Sequence, residues 1–359
     1  MMTPDDSSQK RDASMAAGID SDHDTLPDLL AVDRRSRVEF GATRRRFLKA
    51  SATLTAGLVG VPWLGRLAGA EMAAGTIIDT HTHFYDPTRP QGVPWPDKGD
   101  RLLYRKVLPP DYRALPQPRK VTGTVVVEAS SWVEDNQWVL DLAANDPFIV
   151  GMVGNLTPGS DAFSGQLRRF AGNPLFRGIR IGGDRLGAAV GEASFRKDLG
   201  RLADAGLELD VNGSPESLPG VARLAAEVPD LRIVINHVAN VRIDGRAAPA
   251  DWLRGMNAAS QKPHVYCKVS GLVEGSGRAD GKAPADVEFY RPILDGIWNA
   301  FGADRLIYGS NWPVSERFAP CGVVQGIVSG YFQTRGPAAV EKVFWRNASA
   351  AYRWVTRAR

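Results

Sequence analysis

The chain has 359 residues, of which 43% are hydrophobic and 23% charged, and its formal net charge is only +4. A chain of this length can bury a large core without disulfide support. Its two cysteines, Cys267 and Cys321, exclude a disulfide framework, and we expect two buried thiols rather than a bridge. After residue 70, basic residues alternate with acidic ones, which argues against nucleic acid as a partner.

The first 70 residues are predicted to be an export signal. Residues 1–42 are polar without a sustained apolar period, which is typical of a disordered leader. Residues 43–70 contain the run TRRRFLK, then an uncharged stretch of small residues, and end in Ala68-Gly69-Ala70. This order is similar to a Tat-type signal peptide, and the apolar stretch is too short to span a bilayer. We therefore expect export through Tat to the periplasm or beyond, with no membrane contact after cleavage.

The remaining residues, 71–359, alternate between short apolar runs and amphipathic helical patterns. The runs are continuous and rich in β-branched residues, which is typical of parallel strands buried on both faces. The predicted strands are Thr76–Asp79, Val121–Glu128, Phe148–Gly154, Gly178–Ile181, Leu207–Val211, Leu231–Asn236, Val265–Val269 and Leu306–Gly309. The predicted helices are Asp135–Asn145, Ala162–Ala171, Ser194–Ala205, Ser217–Val228, Ala250–Ser260, Asp286–Phe301 and Pro337–Val355.

Eight strands separated by helices or loops predict an α/β fold, a single (β/α)₈ TIM barrel. The alternative is a doubly wound open sheet, but no glycine-rich dinucleotide turn follows the first strand. The proline-rich segment 86–118 is predicted to be a long loop that caps the active site.

Histidines stand at the ends of two predicted strands. His81 and His83 are spaced by one residue, so their side chains point to the same side of the first strand, and His237 follows the sixth. Catalytic groups of a TIM barrel lie at these carboxyl ends, and three imidazoles can hold a divalent metal. His264 opens the seventh strand at the opposite end and is predicted to be structural.

Four segments then resemble the amidohydrolase superfamily, in the branch that contains L-fuconolactone hydrolases and 2-pyrone-4,6-dicarboxylate lactonases. These segments are IIDTHTH at 77–83, FRGIR at 176–180, YCKVSGL at 266–272 and FGADRLIYGSNWPV at 301–314. The resemblance covers most of residues 76–355. It implies hydrolysis of a lactone or a related ester or amide, with a variable need for metal. One zinc or manganese ion on His81, His83 and His237 is one expectation, and a metal-free site is the other.

The chain departs from this family at Asn311, where the family has an aspartate that takes a proton from the attacking water. Asparagine stays neutral, although its oxygen still accepts hydrogen bonds or a metal. Loss of a general base typically costs about 10²–10⁴-fold in rate. The candidate replacements are Glu128, Asp210 and His237, and each of the two carboxylates has the alternative of a supporting role.

Other residues are predicted to contact the substrate. Arg180 and Lys268 point toward the barrel mouth, where they would bind a carboxylate or stabilise an oxyanion, with an internal ion pair as the alternative. Trp132 and Trp312 would stack on a ring face, with core packing as the alternative.

The sequence thus predicts an exported, lactonase-like hydrolase that acts on a small-molecule substrate. A decarboxylase on the same scaffold, or a ligand-binding protein that lost the aspartate, are the alternatives. A homo-oligomer is compatible with the sequence.

Overall fold

The computed structural model describes residues 75–355 and residue 357, which form alternating strands and helices. The predicted leader and export signal lie outside the described residues. The strands are β1 Ile78–Thr82, β2 Gly123–Val127, β3 Ile149–Gly154, β4 Phe176–Gly182, β5 Glu208–Asn212, β6 Arg232–Ile235, β7 Val265–Val269 and β8 Leu306–Tyr308.

Twelve α-helices accompany the strands in the described residues. They are α1 Pro109–Arg113, α2 Asp135–Asn145, α3 Phe163–Ala171, α4 Gly183–Ala189, α5 Ala193–Asp204, α6 Leu218–Glu227, α7 Ala250–Ser260, α8 Leu272–Gly275, α9 Val287–Phe301, α10 Cys321–Gln333, α11 Pro337–Glu341 and α12 Asn347–Tyr352.

All strand pairs are parallel, and the strands follow each other in chain order from β1 to β8. The last strand returns to the first: Thr82 forms a parallel bridge with Trp312, and the His83 amide donates to the Trp312 carbonyl at 2.9 Å. The sheet is therefore nearly closed, which confirms the predicted TIM barrel and excludes the open sheet.

The core has two parts. The larger cluster fills the space between strands and helices, and a smaller one, with Val125, Val234 and Ile307, joins inward-facing strand residues to Trp345 and Tyr352. The Arg232 Nε donates to the Ala351 carbonyl at 2.6 Å at the start of β6. The C-terminal segment therefore covers the amino end of the barrel and leaves the carboxyl end open for a site.

Several predicted elements agree with the structure residue for residue, namely α2, α7 and β7. The sequence patterns missed α1, α4, α8 and α10. Helix α10 was not predicted because most of its residues are buried, so it lacks the polar face that produces an amphipathic period. Both cysteines are free and buried, as expected. Among the described residues, no helix has the length and hydropathy needed to cross a membrane.

Candidate active site

Three histidines meet at the carboxyl end of the barrel. His81 belongs to β1, His83 follows it, and His237 follows β6. The ring of His81 lies 5.0 Å from that of His83 and 4.2 Å from that of His237, centroid to centroid. The predicted cluster therefore forms. His264 lies apart from it, and one of its ring nitrogens contacts the Ala225 carbonyl at 3.2 Å, consistent with a structural role.

Two glycines give these rings their space. A Cβ atom at Gly309, after β8, would lie 2.8 Å from the His81 Cβ, and one at Gly271 would lie 2.5 Å from the His237 Cβ. Both distances are shorter than carbon atoms tolerate without displacement. The family-like segments 266–272 and 301–314 therefore carry glycine at the points where His237 and His81 pack against the neighbouring backbone.

The turn that carries His237 is strained. Residues 237–240 all have positive φ, with 46° at Val238, a conformation that is unfavourable for a β-branched residue. The Trp252 indole supports this turn by donating to the Val238 carbonyl at 2.9 Å. Such strain persists only where the surroundings enforce it, and it concentrates at functional sites.

Asp210 and Lys268 form a fully buried ion pair beneath the histidines. The Lys268 Nζ lies 2.5 Å from Asp210 Oδ2 and 3.2 Å from His81 Nδ1, and the Tyr352 hydroxyl donates to Asp210 Oδ1 at 3.0 Å. Both ions are thus engaged inside the protein. The structure therefore favours the alternatives given for both residues: a supporting role for Asp210, whose two oxygens are both bonded, and an internal ion pair for Lys268 in place of substrate binding.

The ion pair also determines the proton position on His81. A charged ammonium only donates hydrogen bonds, so His81 Nδ1 must accept, and the hydrogen of the neutral ring lies on Nε2. Burial lowers the pKa of His81 well below its usual range, and Lys268 lowers it further, so the ring is neutral. The Nε2 atom is buried and has no partner among the described residues.

In His83 the ring hydrogen lies on the other nitrogen, Nδ1. Its Nδ1 donates to the Val127 carbonyl at 3.0 Å, which leaves a lone pair on Nε2. Burial lowers the pKa of His83 to about 3, so this ring is also neutral. The Nε2 atom faces the Asn311 Oδ1 at 3.3 Å, and two acceptors therefore meet at this point of the site.

Asn311 is paired with a carboxylate that the sequence analysis missed. Its Nδ2 donates to Glu274 Oε1 at 2.8 Å, whereas the buried Oε2 of Glu274 has no partner within the described residues. Burial raises the pKa of Glu274 to about 7, while the hydrogen bond from Asn311 lowers it less strongly. An acid with a pKa near neutrality is suited to general base catalysis.

The sequence contained a signal for Glu274. It lies in α8, two residues after the segment YCKVSGL that begins in β7, and the loops after barrel strands form the active-site face. Acids on the strands themselves were predictable by this rule, whereas Glu274 lies in the helical turn that follows a strand.

Arg180 and Glu128 form the opposite wall. The Arg180 Nε donates to Glu128 Oε1 at 2.8 Å, and Oε2 accepts from the Ser130 amide at 3.0 Å. Burial raises the pKa of Glu128, and Arg180 opposes that rise. Because both oxygens of Glu128 are engaged, it fits the supporting role better than that of a base. The Arg180 Nη1 makes no hydrogen bond within residues 75–355, and Arg180 lines the cleft described next.

These side chains surround a cleft of about 550 Å³, here called the active-site cleft. His83, His237, Arg180, Glu274 and Asn311 all line it. Trp95, from the segment predicted to cap the site, also lines it and lies 5.9 Å from the His83 ring, centroid to centroid.

Trp132 and Trp312, the two tryptophans predicted to stack on a substrate, do not line this cleft. Trp312 is fully buried, its indole donates to Glu316 Oε1 at 2.6 Å, and its ring packs on Tyr112. This corrects the prediction that Trp312 stacks on a substrate, because its ring belongs to the core. Trp132 is 39% exposed and lies outside the cleft wall, so a stacking role for it is not supported either.

The donor atoms do not fit a resident metal ion. A catalytic zinc typically takes three protein ligands. His81 Nε2 carries a hydrogen and cannot bind an ion, whereas His83 Nε2 presents a lone pair beside the neutral Asn311 oxygen. The Nδ1 of His237 contacts the Ser270 hydroxyl at 2.9 Å, where either atom can donate, so the cluster offers at most two imidazole ligands. Among residues 75–355, no group of three or more His, Cys, Asp or Glu side chains is arranged to hold an ion. The imidazoles cluster as predicted, but the hydrogen on His81 Nε2 leaves the cluster short of the three ligands of a catalytic zinc site.

Comparison with known proteins assigns the family. The amidohydrolase family model matches residues 78–354. An L-fucono-1,5-lactonase of Burkholderia ambifaria is 30% identical over 282 residues, covering 77% of this chain and 95% of that protein.

Solved structures agree with this assignment. A zinc-bound amidohydrolase from Burkholderia multivorans has a TM-score of 0.67 at 26% identity, over 78% of this chain and 100% of that one. A putative 2-pyrone-4,6-dicarboxylic acid hydrolase from Pseudomonas putida shares the fold, with a TM-score of 0.62 at 19% identity over 78% and 98% of the two chains. The chain belongs to the amidohydrolase family and is a hydrolase.

Proposed function

We propose that the protein opens a sugar 1,5-lactone by attack of water, with Glu274 as the general base. The observation that carries this proposal is the pair Glu274–Asn311: a buried carboxylate with one free oxygen lies beside the residue that replaces the family aspartate. The substrate class comes from the Burkholderia ambifaria relative, an L-fucono-1,5-lactonase. A cleft of about 550 Å³, with histidine, arginine, asparagine and carboxylate side chains among its wall residues, accommodates a hydroxylated ring.

The reaction needs three contributions from the chain. Ionised Glu274 takes a proton from water as the water oxygen bonds to the lactone carbonyl carbon. The free Arg180 Nη1 donates to the carbonyl oxygen, where negative charge develops. The bond between the carbonyl carbon and the ring oxygen then breaks, and the proton on Glu274 passes to the departing alkoxide. The product is the open-chain hydroxy acid, so atoms and charge balance.

The remaining groups orient the substrate. His83 Nε2 and Asn311 Oδ1 are adjacent acceptors on the cleft wall and suit a sugar hydroxyl as a shared donor. The proposed reaction uses no resident metal, because neutral imidazoles, a carboxylate and an arginine supply the proton transfer and the charge stabilisation.

The test is hydrolysis of a panel of sugar 1,5-lactones by the wild type and by Glu274→Gln, with and without a chelator. We expect wild-type turnover that chelator leaves unchanged, and a loss of about 10²–10⁴-fold in kcat for Glu274→Gln. The matched control is Glu134→Gln, because Glu134 is exposed and lies outside the cleft wall. Full activity of Glu274→Gln would exclude the base. Loss of activity in chelator, restored by zinc or manganese, would exclude the metal-free reaction.

A further inference from the structure

A second cleft continues the active-site cleft. It encloses about 290 Å³ and is here called the outer cleft. It runs along residues 155–158, which follow β3, along residues 180–182 at the end of β4, and along Arg185 in α4. The two clefts share the following wall residues: Glu128, Ser130, Ser131 and Arg180. A ligand bound beside Glu274 can therefore extend past Arg180 without leaving the groove.

The outer cleft carries a positive charge that the protein does not neutralise. Arg185 lines it and forms no ion pair within the part of the chain that the structure describes. By contrast, Arg180 is paired with Glu128, which is the acid of the outer wall. An arginine without a carboxylate partner presents a fork of donors that matches a carboxylate.

Arg185 is also held in position. Its Nη2 donates to the Pro158 carbonyl at 3.0 Å, and its guanidinium lies 5.7 Å from the Phe195 ring centroid. These contacts leave Nε and Nη1 without an acceptor among residues 75–355. A pre-positioned donor loses less conformational freedom when a ligand binds.

Besides the Glu128–Arg180 ion pair, the rest of the outer wall has polar uncharged residues together with the apolar residues Leu156, Pro158 and Ile181. Asn155, Thr157 and the two serines supply amide and hydroxyl groups, and Asn155 is fixed by donating to the Ser130 carbonyl at 3.1 Å. Hydroxyl and amide groups of this kind recognise the hydroxyls of a sugar. The wall thus combines sugar-type contacts with one unpaired cation.

We propose that the natural substrate is an acidic two-unit lactone, an inference that rests on the proposed lactonase function. The lactone ring lies in the active-site cleft, and a second sugar attached to it lies in the outer cleft. A carboxylate on that second sugar binds Arg185. Arg185 is therefore a specificity residue, remote from the carbonyl that reacts.

The experiment compares three substrates: the 1,5-lactone of a disaccharide whose second sugar is a uronic acid, the same lactone with a neutral second sugar, and a single-ring lactone. Each is assayed with the wild type, Arg185→Gln and Arg168→Gln. Arg168 is the matched control, because it forms no ion pair in the described residues and lies on α3 outside both cleft walls.

We expect the wild type to prefer the uronic acid substrate. Arg185→Gln should lower kcat/KM for it about tenfold, mainly through KM, while the two neutral lactones change by less than about twofold. Arg168→Gln should match the wild type. Added salt should reduce the preference in the wild type and leave Arg185→Gln unaffected.

The outcomes separate the two proposals. Hydrolysis of neutral lactones without preference for the acidic substrate, or an equal loss on all three substrates in Arg185→Gln, would overturn the role of Arg185 and leave the lactonase function standing. Hydrolysis of none of them would overturn the lactonase function and, with it, the two-unit substrate.

Discussion

Two buried carboxylates near the same cleft have opposite surroundings. Asp210, beneath the histidines, is neutralised by Lys268 and also receives the Tyr352 hydroxyl. Glu274, at the cleft, has the neutral amide of Asn311 in place of a cation and keeps one oxygen without a partner in the described structure. The first arrangement stabilises a fixed charge, whereas the second leaves a group whose charge changes near neutral pH. The difference distinguishes a supporting carboxylate from one that can transfer protons.

The largest effect is expected from removing the cation beneath the histidines. Lys268→Met would leave the buried carboxyl group of Asp210 without its cation, which should lower the free energy of unfolding by about 3–5 kcal/mol. Urea denaturation at pH 7 measures this change. The control is Lys342→Met, because its pair with Asp304 lies at the surface and should be worth about 0–1 kcal/mol.

A second variant makes this test specific. If the uncompensated charge is the cause, then Lys268→Met combined with Asp210→Leu should recover much of the lost stability. A double variant no more stable than Lys268→Met would instead assign the loss to packing. A single variant as stable as wild type would show that the ion pair does not support the site.

A smaller effect is expected at the second carboxylate, with the opposite sign. Because the pKa of Glu274 is raised to about 7 from 4.5, the folded protein binds its proton more tightly than the unfolded chain does. Stability is therefore unaffected by this group below about pH 4.5 and falls as the pH rises toward 7. Glu274→Gln removes this cost and should stabilise the protein above pH 7 by on the order of 3 kcal/mol.

The measurement is the difference in unfolding free energy between Glu274→Gln and wild type, at pH 5.5 and at pH 8.5. The difference should grow with pH for Glu274→Gln and stay flat for Glu134→Gln, whose side chain is 74% exposed. An equal difference at both pH values would mean that Glu274 is already ionised at pH 5.5.

The same contrast explains how far the sequence could predict the site. The histidines and Asn311 were predictable, because a period of two on a strand and the order of the strands determine which side chains reach the carboxyl ends. The hydrogen-bond and ion-pair partners of the site residues were not predictable, because they lie far apart in the chain. Asp210 and Lys268 are 58 residues apart, and Glu274 and Asn311 are 37 apart. Which cation meets which acid depends on the register and tilt of strands around the closed barrel, and these follow from packing rather than from local pattern.

The burial of individual side chains could not be predicted from the sequence either. Trp312 stands four residues beyond the end of β8, at the barrel mouth, yet its ring turns into the core against Tyr112 from the segment 86–118. That segment has no periodic pattern, so the sequence did not place Tyr112. The fold followed from repeating patterns, while the site depended on contacts between segments distant in the chain.

The smallest effect is expected when Asn311 is changed to the family residue. Asn311→Asp fits the space, but it replaces the amide that donates to Glu274 at 2.8 Å with a second carboxyl group. Two adjacent carboxyls cannot both ionise at their ordinary pKa values, so one of them holds a proton at neutral pH. If Glu274 is the base, lactone turnover at pH 7 should fall about tenfold and recover as the pH rises, because the pair of carboxyl groups has a higher pKa than Glu274 has in the wild type.

Asn240→Asp is the control, because Asn240 also lines the cleft but bonds to Asn212 instead of an acid. It should leave the position of the pH profile unchanged. A tenfold gain in turnover for Asn311→Asp would show that position 311 remains the better place for a base, and that Glu274 has not replaced the aspartate.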